Sequence, residues 1–314
     1  MPDSEQILVI KLGALGDIFL ALDAFQAIRR HHPAARVTLL TRRPHVSLTR
    51  LMPWFDEVWE DPAPRPWQIP TLLRWRSRLT ERSWTHVYDL QANDRTNGYF
   101  RLMGAARRGI VWMGAAPGCS HPRPPDLLKG ISAKERFTRQ LALAGIPLVE
   151  SADLDWLKVS VDHLGINGKF VLLIPGCAPH RPYKRWPAGS YGAVARLFLE
   201  DGTGVGIIGT EAEREAVDTI LREAPGCLDL CGKTSIQELA SLAMRAEAVI
   251  GNDTGPVHIA GAVGAPTLVL MSGHSNPKTM LPQGPRVDFR QKENLADLPP
   301  EEVLRAARGL TGGK

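Results

Sequence analysis

The chain has 314 residues, 44% of them hydrophobic, so it can bury two cores of ordinary size and is not a disordered chain. Its formal net charge of +5 is too small and too scattered for a nucleic-acid coat; it suits phosphorylated or acidic small molecules, or an anionic membrane face. The cysteines Cys119, Cys177, Cys227 and Cys231 form no C-x-x-C pair, as expected of small buried thiols in a reducing compartment.

Short β-rich runs alternate with helical patterns throughout, the signature of parallel sheets covered by helices. The first run, residues 7–10, follows an acidic start and stops at Lys11, far short of a signal-peptide core. No stretch approaches the roughly 18 apolar residues of a membrane span. A soluble, cytoplasmic protein is the expectation. Further strands are predicted at residues 36–40, 57–59, 86–90 and 109–112, with helices from near Asp17 (an apolar helix over residues 18–28), Trp67, Asp94 and Ser132. In the helix after Trp67 the stripe Ile69, Leu72, Trp75, Leu79 has helical spacing, and Arg74, Arg76, Arg78 and Arg82 accompany it. An ordinary domain helix with a solvated basic face explains this pattern, and peripheral docking on an anionic membrane is the alternative.

The second half repeats the alternation, with strands predicted at residues 170–174, 205–208, 227–230, 248–250 and 267–270 and helices from about Ala188, Ala212, Ser235 and Pro256. The polar stretch 148–168 has little periodicity and should hold the linker. The expected fold class is therefore α/β, with two doubly wound Rossmann-like domains at residues 1–155 and 166–298. Pro299-Pro300 opens a last amphipathic helix in residues 299–314, for which packing back on the N-terminal domain is left open. Ligands bind such sheets at the carboxyl ends of strands, in a cleft, so chemistry is sought just after strands.

Three junctions stand out. After the first strand, Lys11-Leu12-Gly13-Ala14-Leu15-Gly16-Asp17 lets the backbone turn tightly and leaves Asp17 at a helix start, where taken alone it reads first as a capping aspartate. Gly13 and Gly16 supply only part of a G-x-G-x-x-G fingerprint, which weighs against a nicotinamide dehydrogenase. After the first strand of the second domain, the loop from Pro175-Gly176 to Trp186-Pro187 carries His180, Arg181, Lys184 and Arg185, a plausible diphosphate clamp with Lys184 as a mobile point charge; a solvated basic loop is the other reading. The third junction is Asn252-Asp253-Thr254-Gly255-Pro256-Val257-His258. Here Thr254 can cap, Pro256 fits the first turn and the amides near Gly255 can face an anion. Asp253 could accept from a sugar hydroxyl, and His258 is a site residue or a satisfied core histidine.

Other patterns fail on spacing. Five residues separate Gly226 from Gly232-Lys233-Thr234, where a nucleotide P-loop needs four. Ser235-Ile236-Gln237-Glu238 reads as a capping box. Asp153-Leu154-Asp155 imitates a D-x-D metal motif but sits in the expected linker, and no cluster has metal-ligand spacing, so no metal is predicted.

These junctions in this order, together with Asp89-Leu90-Gln91 and Arg95, Lys184-Arg185-Trp186-Pro187 and Gly232-Lys233-Thr234-Ser235, resemble family-nine glycosyltransferases, the ADP-heptose:lipopolysaccharide heptosyltransferases, over nearly the whole chain. The resemblance implies a GT-B architecture whose C-terminal domain takes ADP-heptose and whose N-terminal domain takes a lipopolysaccharide-core acceptor. It implies inversion without metal or other cofactor, with Asp17 as general base and Lys184 on the diphosphate. Asp253, Thr254, Gly255 and His258 would grip the donor and one glutamate of Glu211-Ala212-Glu213, taken as Glu213, its ribose, with Gly16 and Arg95 on the acceptor side and Arg42 and Arg43 placed there by position only. Peripheral contact with the inner membrane is compatible with such an acceptor; a nucleic-acid partner is not implied. One departure is Ala178-Pro179-His180, where several relatives carry paired hydroxyl residues, which leaves diphosphate contacts there to backbone amides or His180. Alternatives are another nucleotide sugar, a protein acceptor, or a non-catalytic nucleotide-sugar-binding protein.

Overall fold

The computed structural model describes residues 5–124, 130–178 and 180–311; the acidic residues 1–4 and Pro179 of the sequence reading lie outside them. The chain divides into two compact units, Met1–Trp156 and Leu157–Lys314.

In the first unit six strands pair in parallel: β1 (Gln6–Ile10), β2 (Arg36–Thr41), β3 (Glu57–Glu60), β4 (His86–Asp89), β5 (Val111–Gly114) and β6 (His121–Pro122), in the order β3-β2-β1-β4-β5-β6. Ile7, Leu8, Val9 and Ile10 are all fully buried, because a central parallel strand is covered on both faces and a continuous apolar run is what it requires. The covering helices are α1 (Leu15–Phe19), α2 (Leu22–His31), α3 (Val46–Thr49), α4 (Ile69–Thr80), α5 (Asp94–Met103) and α6 (Ala133–Ala142). Trp59, Trp75, Trp84 and Tyr99 pack edge to face in the core beneath α4 and α5, an arrangement worth about 0.5–1.5 kcal/mol per pair beyond burial.

The second unit repeats the plan with β7 (Phe170–Ile174), β8 (Gly204–Ile207), β9 (Leu228–Asp229), β10 (Ala248–Asn252), β11 (Thr267–Ser272) and β12 (Val287–Lys292), all parallel, in the order β12-β11-β10-β7-β8-β9. Its helices are α7 (Ala188–Glu200), α8 (Arg214–Glu223), α9 (Ile236–Arg245), α10 (Gly255–Ala262), α11 (Pro277–Met280) and α12 (Pro300–Thr311). Ser235 and Glu238 form the expected reciprocal capping box at the start of α9. In both sheets the winding reverses once, between β1 and β4 and between β7 and β10. Those switch points are where doubly wound sheets receive ligands.

The structure differs from the sequence reading in several places. The apolar helix over residues 18–28 is two helices, α1 and α2, separated at Leu20 and Ala21, where Ala21 N–H bonds back three residues to Ile18. The strand β12 and the two-residue β6 had no apolar run to announce them; β12 is an edge strand and its residues are only half-buried or exposed. Ile69 does not join Trp75 and Leu79 in the core but faces outward. Helix α12 lies against α7, β10 and β11 of the second unit, with Val303 and Ala307 fully buried in that unit's core. Among the described residues no helix is long and apolar enough to cross a membrane.

Candidate active site

The carboxyl ends of β1 and β4 position the glycine turn. Leu12 N–H donates to Gln91 Oε1 at 3.0 Å, tying the turn to the end of β4. Asp17, in the first turn of α1, reaches back and accepts from Ala14 N–H through Oδ2 at 2.8 Å. This contact explains Gly13: a Cβ there would lie 2.5 Å from Asp17 Oδ2, so only glycine lets the carboxylate fold over the turn. Asp17 is half-buried, and the charges of Lys11 and Arg136 feel its field. It is thus both a helix cap and a carboxylate in cationic surroundings.

Behind it lie two buried groups, Lys11 and Asp89, which stood inside quoted motifs but to which the sequence assigned no role. Lys11 is buried, and loss of water pushes its ammonium down to about 8, against the opposing pull of Asp17. Asp89 ends β4 fully buried; its Oδ1 accepts from Gln91 N–H at 3.1 Å and Ala92 N–H at 2.7 Å, while its Oδ2 has no hydrogen-bond partner among the described residues. Those bonds hold Ala92 at φ +47°, a left-handed conformation that costs a non-glycine residue on the order of 1–2 kcal/mol. Burial pushes the Asp89 carboxyl up to about 6, against the opposing pull of the Thr96 side chain and of the bonds it accepts from Ala92 and Gln91. An acid bound more tightly by the folded state stabilises it fully below the unfolded pKa near 4, and that contribution disappears as pH rises through 6. Asp89→Asn keeps the Oδ1 acceptor and removes the buried charge. It is expected to raise Tm at pH 8, by the equivalent of on the order of 1–3 kcal/mol, with the gain shrinking toward pH 5. Melting curves at the two pH values check this; an equal shift at both would mean that Asp89 does not titrate between them.

An open cavity of about 610 Å³ in this unit is lined by Leu12, Arg42, Arg43, Asp61, Asn93 and Arg95 among others. Arg95 Nη1 donates to Asp61 Oδ2 at 3.0 Å, and Tyr99 Oη donates to Asp61 Oδ1 at 2.5 Å. Asp61 is buried, so it fixes the guanidinium at the cavity wall while Arg42 and Arg43 add positive charge. Gly16 is buried in α1 and is not part of this lining.

In the second unit β7 and β10 bring two distant segments together. Asn252, at the end of β10 and fully buried, accepts from Trp186 N–H and Tyr191 Oη, and its Nδ2 donates to Pro175 O at 2.7 Å. One amide therefore pins both ends of the basic loop. Lys184 is buried rather than mobile: its Nζ donates to Asp253 Oδ2 at 2.5 Å, and Ser275 Oγ donates to the same oxygen at 2.9 Å. Burial would raise Asp253, but His258 and Lys184 beside it, with Ser275, outweigh that and hold the carboxyl at about 2. The carboxylate expected to meet a sugar hydroxyl is thus occupied as the counter-ion of Lys184.

Beside this pair, Thr254 is the extended N-cap of α10, with Pro256 in the first turn. Its hydroxyl makes no capping bond, and Thr254 Oγ1 and His258 Nδ1 are both buried without partners among the described residues. Unpaired buried polar atoms at the dipole-positive start of a helix, next to a held ammonium, are what an anionic ligand would satisfy. Glu213 lies across the β7 loop, its Cγ 2.8 Å from where a Cβ on Gly176 would be, and its Oε2 accepts from Thr210 N–H and Oγ1. The structure thus groups Lys184, Asp253, Thr254, Gly255 and His258 at one switch point, with Glu213 beside the loop that precedes them. Ser275 was missed, for a serine after a strand carries no signal of its own. Asn252 and Lys11 stood inside quoted motifs, yet nothing in the sequence assigned their roles.

The family model described as glycosyltransferase family 9 (heptosyltransferase) matches residues 140–299, which is more than half of the chain. The chain belongs to this family. It is 36% identical over 142 residues to the lipooligosaccharide heptosyltransferase 2 of Haemophilus influenzae, an alignment that covers 43% of this chain and only 38% of that relative. A longer alignment, 22% identical over 295 residues, spans 88% of this chain and 81% of the lipopolysaccharide core heptosyltransferase OpsX of the same organism. The fold matches that of the ADP-heptose lps heptosyltransferase II of E. coli with a TM-score of 0.76 and 21% identity, over 98% of both chains. The α/β, GT-B fold class and the assignment to the glycosyltransferase family therefore stand. Among the described residues no group of three or more His, Cys, Asp or Glu is arranged to hold a metal; Asp153 Oδ1 instead accepts from Asp155 N–H.

Proposed function

We propose that this family member is an inverting heptosyltransferase that moves heptose from ADP-heptose to a lipopolysaccharide-core acceptor without a metal ion. The observation that carries the reading is the held Lys184 ammonium beside Thr254 Oγ1 and His258 Nδ1, two buried atoms at the start of α10 with no partner among the described residues. In the proposed step the Asp17 carboxylate takes the proton of the acceptor hydroxyl as its oxygen bonds to the anomeric carbon. The bond from that carbon to the diphosphate oxygen breaks, and ADP leaves with the electron pair. Lys184 and the α10 amides stabilise the charge gathering on the diphosphate, the task a metal performs elsewhere. Glu213 is assigned to the ribose, and the cavity bearing Arg42, Arg43 and Arg95 to an anionic acceptor.

The likeness to the E. coli ADP-heptose lps heptosyltransferase II and to the H. influenzae lipopolysaccharide core heptosyltransferase OpsX supports the donor and the acceptor class. The test is a transfer assay with ADP-heptose against UDP- and GDP-sugars, with and without EDTA. Transfer is expected from ADP-heptose alone, at a rate EDTA leaves unchanged. Turnover that returns only with added Mg²⁺ or Mn²⁺ would reopen Asp153 and Asp155 as ligands, and a preference for another nucleotide would reassign the donor.

A further inference from the structure

Residues 65–80 contain Arg65, Arg74, Arg76 and Arg78 and no acidic residue. In that segment α4 is anchored by one stripe and bare on another. Trp75 and Leu79 are buried against Trp59 and Trp84, whereas Trp67, Ile69 and Leu73 are 70%, 56% and 59% exposed. Ile69, Leu73 and Arg76 stand at i, i+4 and i+7, so two apolar side chains and a cation share the outward stripe, and Trp67 precedes it. The arginines divide in the same way. Arg78 and Arg82 are committed inward, stacked over Trp59 at 4.0 and 5.1 Å and paired with Glu57. Arg65, Arg74 and Arg76 form no ion pair among the described residues, and Arg65 lies over the Trp67 ring at 5.4 Å. Exposed tryptophan and aliphatic side chains among uncompensated cations are the chemistry of an interface with anionic lipid rather than of ordinary solvent contact.

Chain continuity supports that occupant. Asp61 and Ala63 line the wall of the cavity that holds Arg42, Arg43 and Arg95, and Arg65 follows two residues later. The exposed segment therefore begins at the cavity's rim, in the same unit. We propose that Trp67 and the outward stripe of α4 dock on an anionic bilayer, with Arg65, Arg74 and Arg76 on head-group phosphates, so that the cavity meets an acceptor still anchored in lipid. This rests on the reading of the acceptor as lipid-linked.

The full chain is to be cosedimented with vesicles of equal parts phosphatidylethanolamine and phosphatidylglycerol, and with phosphatidylcholine vesicles, at low and high salt. Binding is expected to the anionic vesicles only and to be released by salt. Arg74→Glu/Arg76→Glu should reduce partitioning by about tenfold or more, since each basic residue near an anionic surface accounts for roughly fivefold, and Trp67→Ser/Leu73→Ser should reduce it by removing the apolar area that enters the interface. Both pairs should keep the parent melting temperature and the parent turnover with a delipidated, soluble acceptor. Absence of binding by the parent chain at low salt, or unchanged binding by both pairs, overturns the proposal. So does a monomer–dimer equilibrium sensitive to Trp67→Ser/Leu73→Ser in the absence of vesicle binding, which would assign the face to a second copy. Failure of heptose transfer to the soluble acceptor by the parent would count against the enzymatic reading and not against docking.

Discussion

Asp17→Asn is expected to lower kcat by about 10²–10⁴-fold, the range for removing a general base, while leaving the melting temperature and ADP affinity close to those of the parent. The geometry separates the two roles of this side chain. As a cap, Asp17 accepts one bond from Ala14 N–H, and asparagine can accept the same bond through its amide oxygen. As a base it must take a proton, which asparagine cannot do. ADP affinity should hold because the residues assigned to the donor lie in the second unit. Steady-state kinetics with the acceptor, calorimetry with ADP and a thermal melt together check the prediction. If the variant keeps more than about a tenth of the parent kcat, the loss is below the general-base range and Asp17 is only a cap.

Lys184→Ala is expected to cost about 3–5 kcal/mol of stability, because it strands the Asp253 carboxylate in a buried site with only Ser275 and the His258 ring beside it among the described residues. It should also weaken ADP binding by about 1.5–3 kcal/mol, the range for a hydrogen bond to a charged group. The two losses are separable. Lys184→Met/Asp253→Asn removes both charges and should recover most of the stability while leaving ADP affinity reduced. Urea unfolding and calorimetry on the parent, single and double variants give the comparison. Full recovery of ADP affinity in the double variant would show that Lys184 serves the fold and does not touch the diphosphate. In the parent, the low folded pKa of Asp253, about 2, means that its stabilisation is complete above the unfolded value near 4 and is lost as pH falls toward 2.

The pattern of elements was readable because its causes are local. Strands covered on both faces need continuous apolar runs, as at Ile7 to Ile10, and helix starts declare themselves through short-range capping, as at Ser235 and Glu238. The edge strand β12 was not readable, since half-buried alternation between polar side chains looks like loop. The outward turn of Ile69 was missed for a related reason: periodicity gives spacing along a helix, but the stripe that is buried depends on what the sheet offers beneath it.

For the candidate site, the sequence by itself determined the residue types, their order along the chain and their place just after strands, and with these the family resemblance. Partnership was decided only by the tertiary structure. Lys184 and Asp253 are 69 positions apart and meet because β10 pairs with β7, which sets the two following loops side by side. The same pairing lets Asn252 hold Pro175 and Trp186, and it buries Lys184 instead of leaving it a mobile surface charge. In the first unit Asp89 and Lys11 acquire shifted proton affinities from burial at the β1/β4 switch point. Desolvation and ion pairing act over distances through space, and only the order of strands in the sheet converts positions far apart in the chain into neighbours.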